Sequence, residues 1–290
     1  MTKIQRIVFG LLLLVAYPAM ADTATRTETP PGATRESLRQ QLYRTANEAN
    51  DPYVMYLTGL MFDLGAGVPQ DYKEAFRWYV LAAEAGQPAA MNSLGLMYAL
   101  GHGVSQDHSE AMRLWTKAAD NGSIVALANI GTTYYIGLGV QKSYLDAAKW
   151  FQLAADKGDP EAMNMLGVMY EQGLGVTRDR RNAIKLFWQS ACLGYSPAMV
   201  NLGTLYAVGR GVRHDNRLAY AWLITALAFG VPAETHDATV YTLGMTVAHL
   251  GPNKLAHAEG LARKLSATIV KRQVRTPDRK SDQARLGLMI

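Results

Sequence analysis

The chain has 290 residues, with 29 Lys and Arg against 24 Asp and Glu, and 49% of it is hydrophobic. That is the make-up of a folded protein with a core and excludes a disordered chain. A single cysteine, Cys192, excludes an internal disulfide, so apolar burial alone must hold the fold. The formal net charge of +5 sits at the ends: Lys3 and Arg6 near the start, and six basic residues against Asp278 and Asp282 between Lys271 and Ile290. The body is close to neutral and offers no basic platform for nucleic acid.

In chain order, Lys3 and Arg6 precede an apolar run from Ile7 to Tyr17, followed by Ala19-Met20-Ala21, the small-x-small pattern read by a signal peptidase. Residues 1–21 are therefore expected to be a signal peptide cleaved before Asp22, which places the mature protein in the periplasm or outside the cell. No other stretch approaches about 20 consecutive apolar residues, so no integral membrane span is expected. Residues 22–34 read as a flexible segment. From Arg35 to Asn50, Leu42, Tyr43 and Ala46 stand one period before Trp78, Tyr79 and Ala82, the pattern of a lone capping helix.

Residues 51–230 repeat five times at a spacing of 36, without insertion or deletion. Gly59, Gly95, Gly131, Gly167 and Gly203 keep that step, as do Gly67, Gly103, Gly139, Gly175 and Gly211 and the Val that follows each of the latter five. Within one unit, Ala90 to Tyr98 has helical apolar spacing and Gly101-His102-Gly103 ends the helix. Asp107 then caps a second helix, with Glu110 placed to complete a capping box. Asp71 with Glu74 and Ser143 with Asp146 repeat this pattern, while Asp179 and Asp215 supply the cap alone. The second helix closes at Gly86, Gly122, Gly158, Gly194 or Gly230, expected left-handed caps. The mid-helix glycines imply close backbone packing. Trp78, Trp150 and Trp222, alternating with Leu114 and Leu186, read as core. The counterparts of Cys192 one repeat away are Glu84, Asp120, Asp156 and Ala228, so its position tolerates polarity and it reads as a plain helix residue.

After Gly230 the glycine signature stops. Residues 231–270 read as two closing helices, Glu234 to Leu250 and Pro252 to Thr268, and residues 271–290 as a basic tail expected to be disordered, with weak contact to an anionic surface as its alternative use. The fold class is all-α: a right-handed α-solenoid of helix–turn–helix repeats with helical caps.

The run Leu-Gly-x-x-Tyr-x-x-Gly-x-Gly-Val, present at Leu94–Val104 and Leu166–Val176, with the Asp, Ala, Trp, Ala-Ala and Gly that follow, resembles the SEL-1-like repeat (SLR) family. These are relatives of tetratricopeptide repeats with longer connecting loops. The resemblance covers all five units and implies an adaptor or scaffold. For exported members it implies roles in cell-wall enzyme control, polysaccharide export or sensor-kinase inhibition. It also implies an alternative, an immunity protein that neutralises a phospholipase effector of type VI secretion. A cysteine-paired branch is associated with penicillin binding; without such pairs, that activity and cell-wall hydrolysis are remote.

Motifs for chemistry are missing. The Gly-x-Gly segments do not continue into a phosphate-binding loop. The six histidines, His102, His108, His214, His236, His249 and His257, lack the i, i+4 spacing of a helical metal site, and no Gly-x-Ser-x-Gly or Ser-x-x-Lys occurs. No enzyme activity, catalytic residue, metal or cofactor is expected. By analogy with tetratricopeptide repeats, the first helices line the concave face, and their varying positions form the candidate partner site: Tyr56, Asp63, Asn92, Leu96, Thr132, Tyr135, Asn164, Glu171 and Thr204, with Leu64, Leu100, Ile136 and Val208 beside them. Asn92 and Asn164 occupy equivalent places and suit the main chain of a bound segment. The expected partner is another protein: an envelope enzyme, a sensor or a toxin.

Overall fold

The structure, a computed structural model, describes residues 40, 43, 44, 46–48 and 50–274. The signal peptide, the segment to residue 34 and the tail beyond 274 lie outside the described residues. Twelve helices follow in order: α1 Pro52–Leu64, α2 Tyr72–Glu84, α3 Pro88–Leu100, α4 His108–Asp120, α5 Ile124–Ile136, α6 Tyr144–Asp156, α7 Pro160–Gln172, α8 Arg180–Cys192, α9 Ser196–Val208, α10 Asn216–Phe229, α11 Ala233–Ala248 and α12 Pro252–Val274. No strand occurs among the described residues. This is an all-α repeat solenoid of helix–turn–helix units with terminal capping helices. It divides into two compact units, one ending at Lys142 with α1–α5 and one beginning at Ser143 with α6–α12.

Side chains set where the helices begin. At the second helices, Asp71 accepts from the amides of Lys73 and Glu74, Asp107 from Ser109 and Glu110, Asp179 from Asn182, and Asp215 from Arg217 and Leu218. Each such cap contributes about 1 kcal/mol. The expected capping boxes form only in part. Glu74 and Glu110 turn forward to Arg77 (3.1 Å) and Arg113 (2.6 Å) instead of back to the cap, because an i, i+3 guanidinium is within reach and forms a charge-assisted bond. At Ser143 the two side chains bond each other: the Ser143 hydroxyl donates to Asp146 Oδ2 at 2.6 Å and accepts from the Asp146 amide at 3.2 Å.

In the first unit Gly59 and Gly95, each in the middle of its helix, meet large side chains of the following helix. A Cβ on Gly59 would stand 2.6 Å from Tyr79 Cδ1, and one on Gly95 2.4 Å from Trp115 Nε1. The Trp115 indole, wedged there, donates to the Asn92 carbonyl at 3.1 Å. The second loop glycines Gly103 and Gly139 stand against the preceding repeat. Gly103 has φ 72°, and its Cβ would lie 2.5 Å from the Tyr72 carbonyl oxygen. Only glycine satisfies both the left-handed backbone and that approach. Before α1, Tyr43 packs on Phe62 and Trp78 (ring centroids 5.8 and 5.6 Å apart), its hydroxyl donates to Glu74, and Ala46 is fully buried. This helical segment covers the open end of the first repeat. Leu42 lies outside the described residues.

In the second unit the same rule places Gly167 against Phe187 and Gly203 against Leu223, while Gly175, at φ 67°, leaves a Cβ only 2.3 Å from the Tyr144 carbonyl. Phe187, Met199, Leu202 and Trp222 form a core that α12 completes with Leu265 and Ile269. The Thr225 and Ser266 hydroxyls, on α10 and α12, lie 3.4 Å apart. α12 extends to Val274, past the expected boundary at residue 270, and Lys271 and Arg272 in its last turn suit the negative end of the helix dipole. Trp150 and Leu186, read as core, are half-buried. Cys192 differs from its polar counterparts: it is 1% exposed and belongs to the core that α12 closes. Burial pushes its thiol up to about 12, with Arg272 opposing.

Candidate partner-binding face

The candidate residues fall on the fifth, ninth, twelfth and thirteenth positions of the first helices. In the first unit the fifth and sixth positions tie neighbouring repeats together. Asn129 Nδ2 on α5 donates to Asn92 Oδ1 on α3 at 2.9 Å. In the second unit Asn201 Nδ2 donates to Asn164 Oδ1 at 2.8 Å, with Asn164 only 6% exposed. The two asparagines expected to receive a partner's main chain therefore have their carbonyl oxygens committed inside the fold. Their donors, Asn129 and Asn201, escaped the sequence reading, although an amide 37 positions after each was there to be seen.

The remaining candidates fall into two groups. Tyr56 stacks on Tyr79 at 5.8 Å and tilts toward Tyr53 at 6.2 Å. Burial raises the Tyr79 hydroxyl, and the neighbouring Asp63 raises it further, so it stays protonated and donates to Asp63 Oδ2 at 3.1 Å. Burial likewise raises Tyr56, with Tyr53 adding to the effect. Thr132 donates back to the Ala128 carbonyl (3.0 Å), and Glu171 pairs with Arg210 (3.0 Å). Asp63, Thr132, Tyr135 and Glu171 are half-buried; Leu96 and Thr204 are exposed.

Exposed apolar groups dominate the thirteenth position. Leu64 is 58% exposed, Leu100 53%, Ile136 53% and, in the second unit, Val208 64%. Leu96, at the ninth position of α3, adds 46% one turn from Leu100. The first unit thus carries a row of exposed aliphatic side chains at the ends of successive first helices, doubled on α3 by Leu96, with the Tyr53, Tyr56 and Asp63 cluster on α1.

Nothing on this face is arranged for bond-making. Among the described residues no group of three His, Cys, Asp or Glu could hold a metal ion, and the Cys192 thiol is buried and protonated. A repeated apolar row on a rigid helical frame, without reactive groups, defines a helical-repeat interaction scaffold of the tetratricopeptide-like class.

The chain belongs to the Sel1 repeat family, whose repeat matches residues 52–87, 88–123, 124–159, 160–195 and 196–228. It is similar to a Sel1 repeat protein from Oxalobacter formigenes, 34% identical, over 80% of this chain and 99% of that one, with a TM-score of 0.63. It is also similar to a protective antigen of uropathogenic Escherichia coli strains that displays an SLR fold, 25% identical, over 98% of this chain and 57% of that one, with a TM-score of 0.60. Comparison with curated proteins gives no match. As a Sel1 repeat protein the chain is a non-catalytic, protein-binding scaffold. No helix among the described residues is long and apolar enough to cross a membrane.

Proposed function

We propose that this protein is an exported scaffold that holds a partner protein on the face of its first helices and so regulates an envelope process. The observation that carries this reading is the row formed by Leu64, Leu96, Leu100 and Ile136, roughly half of each side chain being open to solvent. Covering the open half of such a side chain contributes about 1 kcal/mol, so the row supplies a few kcal/mol toward docking an amphipathic or apolar segment. The Tyr53, Tyr56 and Asp63 cluster at one edge gives that segment a polar register mark. Export rests on Lys3, Arg6, the Ile7–Tyr17 run and Ala19-Met20-Ala21.

The test is a pull-down from a periplasmic fraction with residues 22–290 as bait, beside a Leu64→Ser/Leu100→Ser/Ile136→Ser variant whose helicity is checked by circular dichroism. Partners captured by the native bait and lost from the variant support the reading. Equal capture by both baits moves the site off this face. A phospholipase among the retained proteins makes the regulated process toxin neutralisation; a cell-wall enzyme or sensor makes it resident control.

A further inference from the structure

The second unit carries a feature that the partner-binding face does not use. A cleft of about 820 Å³ opens between the loop before α10 and the turn joining α11 to α12. Arg213, His214 and Arg217 line it together with His249 and Lys254, and Tyr206 belongs to the same lining. This volume falls in the range of small-molecule sites, whereas the lining is polar and cationic.

The charge of the cleft is uncompensated. Its one carboxylate, Asp215, is spent locally: it grips Arg217 through two oxygens (Nε to Oδ1 3.2 Å, Nη2 to Oδ2 2.8 Å) and also accepts the amides of Arg217 and Leu218. Two amide donors at the start of α10 are therefore taken, and the charged donors left for a ligand are side chains. Arg213 and Lys254 have no ion-pair partner among the described residues. Burial raises the Tyr206 hydroxyl, which keeps its proton. His249 Nδ1 lies 2.7 Å from the Met245 carbonyl, so that nitrogen carries hydrogen and the ring orientation is held. Three of the six histidines, His214, His249 and His257, gather here; His257 Nδ1 is 3.5 Å from Arg217 Nη1. In a chain whose body is otherwise close to neutral, such a concentration of donors and cations is local.

We infer that this cleft binds a multivalent phosphate-type anion, with Arg213 and Lys254 as its principal charge partners and Tyr206, His214 and His249 as further hydrogen-bond donors. Guanidinium and ammonium groups that converge without counter-ions bind phosphate oxygens through charge-assisted hydrogen bonds. The volume admits a ligand larger than a single phosphate. Two sources share this chemistry, a soluble phosphate ester and the headgroup of an anionic phospholipid.

The test uses residues 22–290, native and with Arg213→Ala/Lys254→Ala, both of which are exposed positions and leave the core untouched. Inorganic pyrophosphate is titrated by calorimetry at low salt. The native protein is expected to bind saturably and the double variant to bind at least about tenfold more weakly, with affinity falling as salt is added. Sedimentation with phosphatidylglycerol vesicles, against phosphatidylcholine vesicles, then assigns the source: variant-sensitive binding to the anionic vesicles identifies a headgroup, and pyrophosphate binding without vesicle binding identifies a soluble ester. Absence of pyrophosphate binding, or equal binding by the double variant, overturns the inference. So does binding of an acidic peptide alone.

Discussion

Substitution of Gly95 by alanine tests the packing rule most directly, because two effects of known sign oppose each other at one atom. The added methyl would stand 2.4 Å from Nε1, 2.6 Å from Cδ1 and 2.9 Å from Cε2 of Trp115, where carbon contacts are comfortable only from about 3.5 Å. The indole cannot swing aside: it is buried and its N–H is bonded to the Asn92 carbonyl. α3 and α4 must separate by about 1 Å, which costs about 1–3 kcal/mol as overpacking. Loss of the indole bond adds about 1 kcal/mol. Against this, alanine gains about 1 kcal/mol over glycine in a helix interior, leaving a net loss of about 1–3 kcal/mol. Gly244, inside α11, has nothing within 4 Å of the same methyl, so Gly244→Ala retains the propensity gain and should stabilise by up to about 1 kcal/mol. Urea unfolding followed by circular dichroism and tryptophan fluorescence measures both. If Gly95→Ala proved as stable as the native chain, or Gly244→Ala destabilised it, close packing would not be the reason for glycine at the middle of the first helices.

Three further outcomes follow from other contacts. Asn129→Ala should cost about 1 kcal/mol, and a double-mutant cycle with Asn92→Ala should return a coupling of about 0.5–1.5 kcal/mol; additive effects would deny the amide pair any energetic role. Cys192 should resist a thiol reagent in the native protein and react stoichiometrically in urea, since it is buried and its thiol is pushed up to about 12; rapid native labelling would show that α12 does not cover it. The Asp215 carboxyl is held below its ordinary value chiefly by the Arg217 side chain, helped by the amides it caps. Its contribution is therefore complete above the unfolded value of about 4 and is lost as pH falls through the lower folded value. Asp215→Asn should lose about 1 kcal/mol at neutral pH, and its stability should converge with that of the native protein in acid; a gap that stayed constant to low pH would contradict the ion pair.

The repeat was legible because its determinants are local. A left-handed turn needs glycine, a helix start needs Asp or Ser, and both recur at a fixed step, so the helices emerged near their true ends. What resisted reading depends on who lies alongside. Glu110 had two suitors, its own cap and Arg113, and only three-dimensional reach decided between them. Cys192 sits where three repeats place acidic residues, and α12, a helix with no counterpart in the array, covers it. On the partner face, Asn92 and Asn164 looked like free amides because each helix was read alone. Their partners arrive one repeat and one residue later, a lateral pairing that a single-helix projection does not show. The exposed row at Leu64, Leu100 and Ile136 was legible as variable position but not as the dominant open surface.

The ties that hold this molecule are short along the chain. Trp115 reaches Asn92 across 23 positions, the paired asparagines join across 37, and Thr225 and Ser266 across 41. Loop closure of that size is entropically inexpensive and fast, so each pair of helices can find its neighbour without waiting for a distant terminus. Time enters the design at this point. A chain delivered vector-like from its first residue can consolidate repeat by repeat behind the point of emergence, and its last helices seal a stack that is already built.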